Sequence, residues 1–493
     1  MPDLDRGDAH APSWDQIDHR RLRLETVRQM GINPFPAEAF SPSHSTAEAV
    51  TAHRDPAAEL RLSGRVGAYR ALGKAIFIDL LDEEGKLQLF LSRNTLGRDW
   101  ELAKLLDLGD YVGVMGSIFI TRRGETTLEV RRLTLLGKAL RPPPVGKTDA
   151  AGVVHEAIAD TGRLLRDRHL AFLTDPRLRR RIKTRDLILR EIRRYFWDEG
   201  FTEIETPVIG RAYGGAAAQP FETYSEALDA KMYLRVSPEL NLKRALCGGF
   251  TKVFEIGKNF RNEGIDHSHS PEFEAIEWYE ASSDYYEQMV RFETLVARVA
   301  ESINDTTTIT FRGKLIDLAP PWPRLRILDL VAAELGIRPA DVTEARLSRW
   351  WEESRHPGPR PANWGQYLIA IFEAAIEPKL EGAVFIMDHP LEGSPLTKQH
   401  RDDPRLVERF EPFIGSLELG NAYSELNDAE EQRRRLENQD RAREEPYGVD
   451  EDFLLAMEHG MPQAGGAGLG LDRLIMIITE ANRLSDVIAF PAV

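Results

Sequence analysis

The 493-residue chain has a single cysteine, Cys247, which excludes an internal disulfide and any zinc site built on cysteines. No run approaches the 18 or so apolar residues of a membrane helix, and the opening Met1-Pro-Asp-Leu-Asp-Arg6 lacks a signal-peptide pattern. A cytoplasmic location is the expectation. Positive charge is in short supply: 64 Lys and Arg stand against 79 Asp and Glu, for a net charge of −15. Such a chain does not coat nucleic acid non-specifically, although a local basic face leaves a nucleic-acid partner open. One basic stretch exists, Pro176 to Tyr195, with nine Lys/Arg against two acids. It reads as a solvated helix flank or as such a face. Internal repeats and long low-complexity tracts are missing as well. What is present, 42% hydrophobic and 29% charged residues, suits an ordinary globular protein of two to four domains.

The hydrophobic period divides the chain. Residues 1–57 read as a polar lead and a helix over Arg21–Met30, with Leu22, Val27 and Met30 on its apolar side and Gly31 and Pro34 ending it. From Leu60 the period becomes two. Short strands are expected at Leu62–Val66, Ala75–Leu80, Lys86–Leu91, Tyr111–Ile118 and Thr127–Val130, which suggests an OB-type barrel over 58–142. A stiff linker with Pro142-Pro-Pro144 follows over 143–168, and 169–493 mixes long helices with strands. A helix over Asp186–Glu199 and strands at Thr202–Glu205, Thr251–Arg261 and Pro271–Ala281 do not repeat as βαβ units, so the fold class is α+β with an antiparallel sheet.

Three stretches could carry chemistry. Gly465-Gly-Ala-Gly-Leu-Gly-Leu-Asp-Arg473 fails as a P-loop, having Leu471-Asp472 where Lys-Ser/Thr is needed, and fails as a dinucleotide fingerprint. It reads as a glycine-packed strand entering a helix whose first turn presents Arg473, with close packing favoured as the role of the glycines. The second stretch places Arg261, a loop with Glu263 and His269, and then Phe273 at the start of a strand, an arrangement able to hold a bent nucleotide. Phe273, Ala275, Glu277 and Tyr279 share one strand face, which is either solvent-exposed or a site. In the third, Asn421, Tyr423 and Glu425 share a face, with Glu411 and Glu418 upstream as oxygen donors suited to Mg²⁺. Glu418 has the opposite parity to Asn421, so a shared face requires a bulge near Gly420.

In this order the stretches resemble the class II aminoacyl-tRNA synthetases, subclass b, and among them the bacterial lysyl-tRNA synthetases. Gly200-Phe-Thr-Glu-Ile-Glu-Thr-Pro207 looks like motif 1, Phe260-Arg-Asn-Glu263 through Phe273 like motif 2, and Gly468-Leu-Gly-Leu-Asp-Arg473 like motif 3. Lysyl-type text, Ser237-Pro-Glu-Leu240 and Glu425-Leu-Asn-Asp428, stands between them. The resemblance implies ATP-dependent activation of L-lysine to lysyl-adenylate, its transfer to the 3′ end of lysine tRNA, Mg²⁺ as cofactor, and a homodimer joined at motif 1.

Carried onto this chain, the resemblance gives Arg261 the α-phosphate and the substrate carboxylate, and Arg473 the γ-phosphate. Phe273 would stack on adenine, Glu263 and His269 would fix the nucleotide, and Glu411 and Glu418 would bind Mg²⁺. Gly215, Glu239 and Asn421 would hold the α-amino and carboxylate ends of lysine, with Glu277, Tyr279, Tyr423 and Glu425 around its ammonium. Arg70, Phe77, Gln88 and Glu125 would read the anticodon on the barrel, although Phe77 alone also reads as barrel core. The chain departs from the family pattern at Gln219, Tyr224, Ser225, Glu226 and Asn241. A diverged paralog with altered amino-acid or acceptor specificity, and a non-catalytic tRNA-binding paralog, are the competing readings.

Overall fold

The computed structural model describes residues 14–51, 58–144, 147–148, 154–155, 160–212, 214–216, 218–266, 269–441 and 448–492. The chain divides into two compact units, Met1–Asp175 and Pro176–Val493. Among the described residues no helix is long and apolar enough to cross a membrane.

The first unit is built on a closed five-stranded barrel. Its strands are β1 (Leu60–Leu72), β2 (Ala75–Leu81), β3 (Lys86–Ser92), β4 (Tyr111–Ile120) and β5 (Thr126–Gly137), in the order β1-β2-β3-β5-β4. Period-two alternation packs Ile76, Ile78 and Leu80 of β2 inward against Leu87, Leu89 and Leu91 of β3. The strands outrun their expected ends, β1 and β5 most of all; in β5 Arg131 and Arg132 look like a polar break, but Arg131 is a bulge and the ladder resumes at Arg132 opposite Met115. Helix α1 runs over Trp14–Gln29, not Arg21–Met30. Its inner face is Ile17, Arg20, Leu24 and Val27, whereas Leu22 and Met30 are exposed. An arginine hid this face from the periodicity: the buried Arg20 guanidinium donates to the carbonyls of Leu108 at 2.8 Å and Ala139 at 3.0 Å. Part of the expected linker, 145–146, 149–153 and 156–159, lies outside the described residues, and short helices follow at Thr161–Arg166 and Arg168–Thr174.

The second unit centres on one large sheet. Its elements in chain order are α2 (Pro176–Asp198), β6 (Thr202–Glu203), α3 (Glu239–Cys247), β7 (Lys252–Phe260), β8 (Glu272–Ala281) and α4 (Tyr285–Asn304). Then come β9 (Arg324–Arg326), β10 (Ala383–Met387), β11 (Arg409–Ile414), β12 (Leu417–Glu418), β13 (Gly420–Ser424), β14 (Ala464–Gly470) and α5 (Leu471–Ile478). The sheet order is β9-β10-β11-β13-β14-β8-β7-β6, with β12 on β11. All pairings are antiparallel except β9 with β10 and β6 with β7. One face carries the core, where Phe196 of α2 stacks on Phe254 at 5.0 Å and Trp278 meets Phe292 of α4 at 5.9 Å. Asp284 caps α4 in a reciprocal capping box with Glu287. The other face is left for the site.

Helix α2 starts ten residues earlier than expected, and its basic stretch is divided: Arg177, Arg180, Lys183, Arg190 and Arg194 are exposed, whereas other members reach acids elsewhere in the fold. Arg185 contacts Glu274 of β8 and donates to Asp472 of α5 at 2.6 Å, while Arg193 pairs with Glu203 at 2.9 Å. Asp472 in turn accepts from the Glu274 N–H at 2.8 Å. A half-buried arginine of α2 thus ties the strand of motif 2 to the helix of motif 3.

Candidate active site

Strands β8 and β14 lie side by side at the middle of the sheet. Alternation sends Ile276 and Trp278 into the core, so Phe273, Ala275, Glu277 and Tyr279 face the other way. That face is not solvent but the wall of two adjoining cavities. The first, of about 360 Å³, is lined by residues that include Gly215, Ser237, Glu239, Tyr279, Glu411 and Tyr423. The second, of about 280 Å³, is lined by residues that include Glu263, His269, Phe273 and Arg473. Arg261, Glu277, Glu418 and Asn421 border both. Of the residues expected in the activation site, only Glu425 lines neither.

Glu425 is fully buried at the inner end of the first cavity. One carboxylate oxygen contacts the Lys243 ammonium, and the other, Oε1, has no hydrogen-bond partner. Gly466 makes room for it: a Cβ there would overlap both Glu425 Oε1 and the Tyr279 ring. Glycine here is a close-approach requirement, so packing and site are one role.

Lys243 is the residue that the sequence reading missed. It sits on α3, fully buried, and donates to Glu239 Oε1 at 2.6 Å. Its Nζ stands 5.4 Å from the Tyr423 ring centroid and 5.9 Å from that of Tyr279. Burial works against its charge, but Glu239 and Glu425 hold its pKa above the ordinary lysine value, while burial pushes the Glu425 carboxyl itself up to about 8 against the Lys243 charge. The only local signal was the Glu239–Lys243 spacing of four on a helix. Glu239 is held on its other oxygen by the Tyr423 hydroxyl at 2.8 Å. Glu277 accepts from Ser237 Oγ at 2.8 Å and from the Tyr279 hydroxyl at 3.1 Å. Burial and then the Glu239 charge push its carboxyl up to about 7, against those two hydrogen bonds.

On the other side, the Arg261 guanidinium covers the Phe273 ring at 5.0 Å, and its Nε is buried without a partner. Arg473, in the first turn of α5, donates to the Glu418 carbonyl at 2.6 Å and lies 3.3 Å from His269 Nε2. His269 Nδ1 is 2.8 Å from Asp266 Oδ2; positions 267 and 268 of this loop lie outside the described residues. Desolvation and the neighbouring Glu411 raise the Glu418 pKa. Glu411 accepts from Arg409 at 2.6 Å. A third cavity, of about 730 Å³, shares Arg409, Glu411 and Glu418 with the first and adds Glu373 and Glu377, carboxylates that the sequence reading did not single out.

The parity problem at Glu418 is resolved by a break in the ladder. Glu418 of β12 pairs with Phe413, and pairing to β11 resumes only at Ala422 of β13. Leu419 lies between, its N–H donating to the Pro412 carbonyl at 2.9 Å. Both Glu418 and Asn421 consequently reach the cavities. Gly420 permits the crossing, since a Cβ there would overlap the Gly468 carbonyl.

On the barrel, Phe77 is half-buried on the outer face, not in the core. Its cross-strand partners are Arg70 and Phe90, and the Phe77 and Phe90 rings lie 5.2 Å apart. Phe90 in turn meets Phe119 at 5.9 Å. Gln88 is on the same face and accepts from Thr127 Oγ1 at 3.0 Å; Arg70 pairs with Asp79 at 2.9 Å, and Glu125 is exposed just before β5. The departures Gln219, Tyr224, Ser225, Glu226 and Asn241 line neither of the first two cavities.

Residues 160–493 match the family described as tRNA synthetases class II (D, K and N), and residues 60–136 match the OB-fold nucleic acid binding domain. A lysine–tRNA ligase of Moorella thermoacetica is 43% identical over 96% of this chain and 97% of its own length. Those of Chloroflexus aurantiacus, at 40% over 96% of each, and Carboxydothermus hydrogenoformans, at 39% over 98% of each, are similar too. With three motifs on one sheet, two cavities lined by the second and third of them and these relatives along nearly its whole length, the chain belongs to the class II tRNA synthetases (D, K and N).

Proposed function

We propose that this synthetase activates L-lysine with ATP to lysyl-adenylate and transfers the lysyl group to the 3′ end of lysine tRNA. The observation that carries the reading is the inner end of the first cavity. Glu277, Tyr279 and Tyr423 line it, with the unpartnered Glu425 Oε1 behind Gly466. Carboxylates and aromatic rings suit an ammonium. An aspartate or asparagine side chain would need a free donor there, whereas the buried cation behind it, Lys243, is enclosed by Glu239 and Glu425. All three compared relatives bear the name lysine–tRNA ligase.

In this reading Gly215, Glu239 and Asn421 hold the α-amino and carboxylate ends of the substrate, and Arg261, bordering both cavities, meets its carboxylate and the α-phosphate. The carboxylate oxygen attacks the α-phosphorus and pyrophosphate leaves; a tRNA ribose hydroxyl then attacks the acyl carbon and AMP leaves. No protein nucleophile is needed, because positioning and fixed positive charge do the work. Phe273 stacks on adenine once Arg261 moves off its face, Glu263 and His269 fix the nucleotide, and Arg473 holds the γ-phosphate.

Glu411 and Glu418 are hard oxygen donors whose charges oppose each other, which fits a divalent cation between them and the phosphates. Among the described residues no group of three or more His, Cys, Asp or Glu side chains is arranged to hold a metal. Two carboxylates with phosphates completing the shell is the habit of Mg²⁺. When bound, Mg²⁺ would neutralise charge developing on the phosphates. Exposed Leu187, Trp197, Val208 and Ile209, in and after α2, support a homodimer joined at motif 1. The cytoplasm is the proposed location.

Amino-acid-dependent ATP–pyrophosphate exchange across all twenty amino acids tests the reading, with lysine the expected substrate; a different amino acid, or none, overturns it. The lysine KM should fall as pH rises from about 6 to about 8, because the ammonium needs ionised Glu277 and that group is held near 7. The sign is reversed for folding. A carboxyl pushed up on folding contributes stability below its unfolded value and loses it as pH rises through about 7. Lysine should therefore raise the melting temperature more at pH 8 than at pH 6, and Glu277→Gln should weaken both dependences, leaving the share of Glu425, whose carboxyl burial pushes up to about 8. A KM independent of pH in the parent would show that Glu277 does not meet the ammonium.

The barrel face makes a separate prediction. Phe77→Ala removes a stacking platform worth about 1–3 kcal/mol per base, and Gln88→Ala a base-edge contact of about 1–3 kcal/mol. Both variants should charge lysine tRNA several-fold to a hundredfold more slowly, yet run tRNA-free exchange at the parental rate. Unaffected charging in both would remove anticodon reading from this face.

A further inference from the structure

The pocket read as a lysine site already contains a lysine. Lys243 is fully buried on α3, donates to Glu239 Oε1 at 2.6 Å, contacts Glu425 Oε2 and stands against the Tyr279 and Tyr423 rings. Three carboxylates gather at the inner end: Glu239, Glu277 and Glu425. One resident ammonium does not keep all three ionised: burial pushes Glu277 up to about 7 and Glu425 up to about 8, and the ammonium of an incoming lysine would favour their charged forms. The pairing also leaves one oxygen of Glu425 in contact with Lys243 and the other, Oε1, without a partner beside Gly466.

We propose that Lys243 is a positioning residue that sets amino-acid specificity: its ammonium is a built-in counter-cation that turns Glu425 Oε1 toward the substrate and closes the far end of the pocket. The proposal rests on the lysine reading above. Without the resident cation, Glu425 and Glu239 would be two buried carboxylates side by side, and one would take a proton rather than stay charged. A neutral Glu425 is a poor partner for an ammonium. Lys243 therefore acts on lysine binding through Glu425, while the nucleotide side, lined by Phe273 and Arg473, is untouched.

The test is pyrophosphate exchange by the full-length chain and by Lys243→Ala and Lys243→Met. Both variants should raise the lysine KM roughly tenfold or more, with the ATP KM within about twofold of the parent, as expected for breaking a buried ion pair on one side of the site only. Ethylammonium, which replaces the deleted end of the side chain, should restore the lysine KM of Lys243→Ala saturably. It should not help Lys243→Met, whose side chain fills the space, and in the parent it should only compete with lysine. n-Propanol, of similar size but uncharged, should rescue neither. A parent without lysine-dependent exchange overturns the lysine reading and this inference with it. A parent that runs it, beside a folded Lys243→Ala variant of unchanged lysine KM, overturns the inference alone. Equal losses for lysine and ATP that ethylammonium does not relieve, or variants that stay unfolded with and without it, assign Lys243 to the core and overturn it too.

Discussion

Glu425→Gln should raise the lysine KM by about two orders of magnitude or more, while the ATP KM hardly moves. Removing one partner of a buried, hydrogen-bonded charge pair typically costs about 3–5 kcal/mol. Part of that cost falls on folding, because Lys243 loses a counter-charge. It does not lose both: the 2.6 Å bond to Glu239 remains, so the variant should fold with a lowered melting temperature. The rest falls on the substrate. The amide keeps the shape of the carboxylate but offers the incoming ammonium no full charge, and its NH2 group turns repulsive if it faces the cavity. Lysine and ATP titrations of exchange, with a thermal melt beside them, separate the two shares. Unchanged lysine kinetics in a folded variant would sink the pocket assignment.

The second large effect is expected at the phosphates. Glu418→Ala should reduce lysine-dependent exchange by about a hundred- to a thousandfold, the scale of losing one electrostatic contact to the transition state, roughly 2.7–4 kcal/mol. The fold should survive, since Glu418 is a partly exposed residue of a two-residue strand. Arg473 should stay placed as well. Its 2.6 Å bond is to the Glu418 carbonyl, which alanine keeps, and only the weaker 3.4 Å contact to the carboxylate disappears. A loss of exchange therefore reports on the cation and not on a displaced arginine. Raising Mg²⁺ should recover part of the rate. Normal exchange at ordinary Mg²⁺ would place the metal elsewhere.

Where the chain repeats with a short period, its fold was legible. Strict alternation located β2 and β3, put Phe273, Glu277 and Tyr279 on one face of β8, and showed that Glu418 could join Asn421 only through a break near Gly420. The break is there, with Leu419 outside both ladders. Charge hid the rest. Arg20 stands in the apolar face of α1, and the nine basic residues of Pro176–Tyr195 concealed the first turns of α2; the partners of one of them, Arg185, are Glu274 and Asp472, far along the chain. Lys243 was invisible for the same reason. A lysine among Leu240, Leu242 and Leu246 reads as a long side chain reaching for water. Nothing local says that a carboxylate from Glu425 comes to meet it.

The glycine-rich strand β14 has a consequence for what mutation can reach. Its cavity-side wall is backbone, so the shape there is drawn by neighbours leaning into space the strand does not fill. In a saturation mutagenesis screen, tolerance along it should be ordered by room and not by chemistry. Gly466 should reject every side chain, polar or apolar, since the first carbon already overlaps Glu425 and Tyr279. Gly465, whose Cβ would point to the opposite face, should be hardly more permissive, meeting the buried Gln288 Cγ at 2.8 Å and the Asp284 carbonyl at 3.0 Å. Gly468 should accept alanine, with nothing nearer than Glu277 Cγ at 3.5 Å. Of the three, only Gly468 leaves room to narrow the passage between the cavities by one methyl group. Selection for a smaller substrate therefore has a single-step route at Gly468 and none at Gly466.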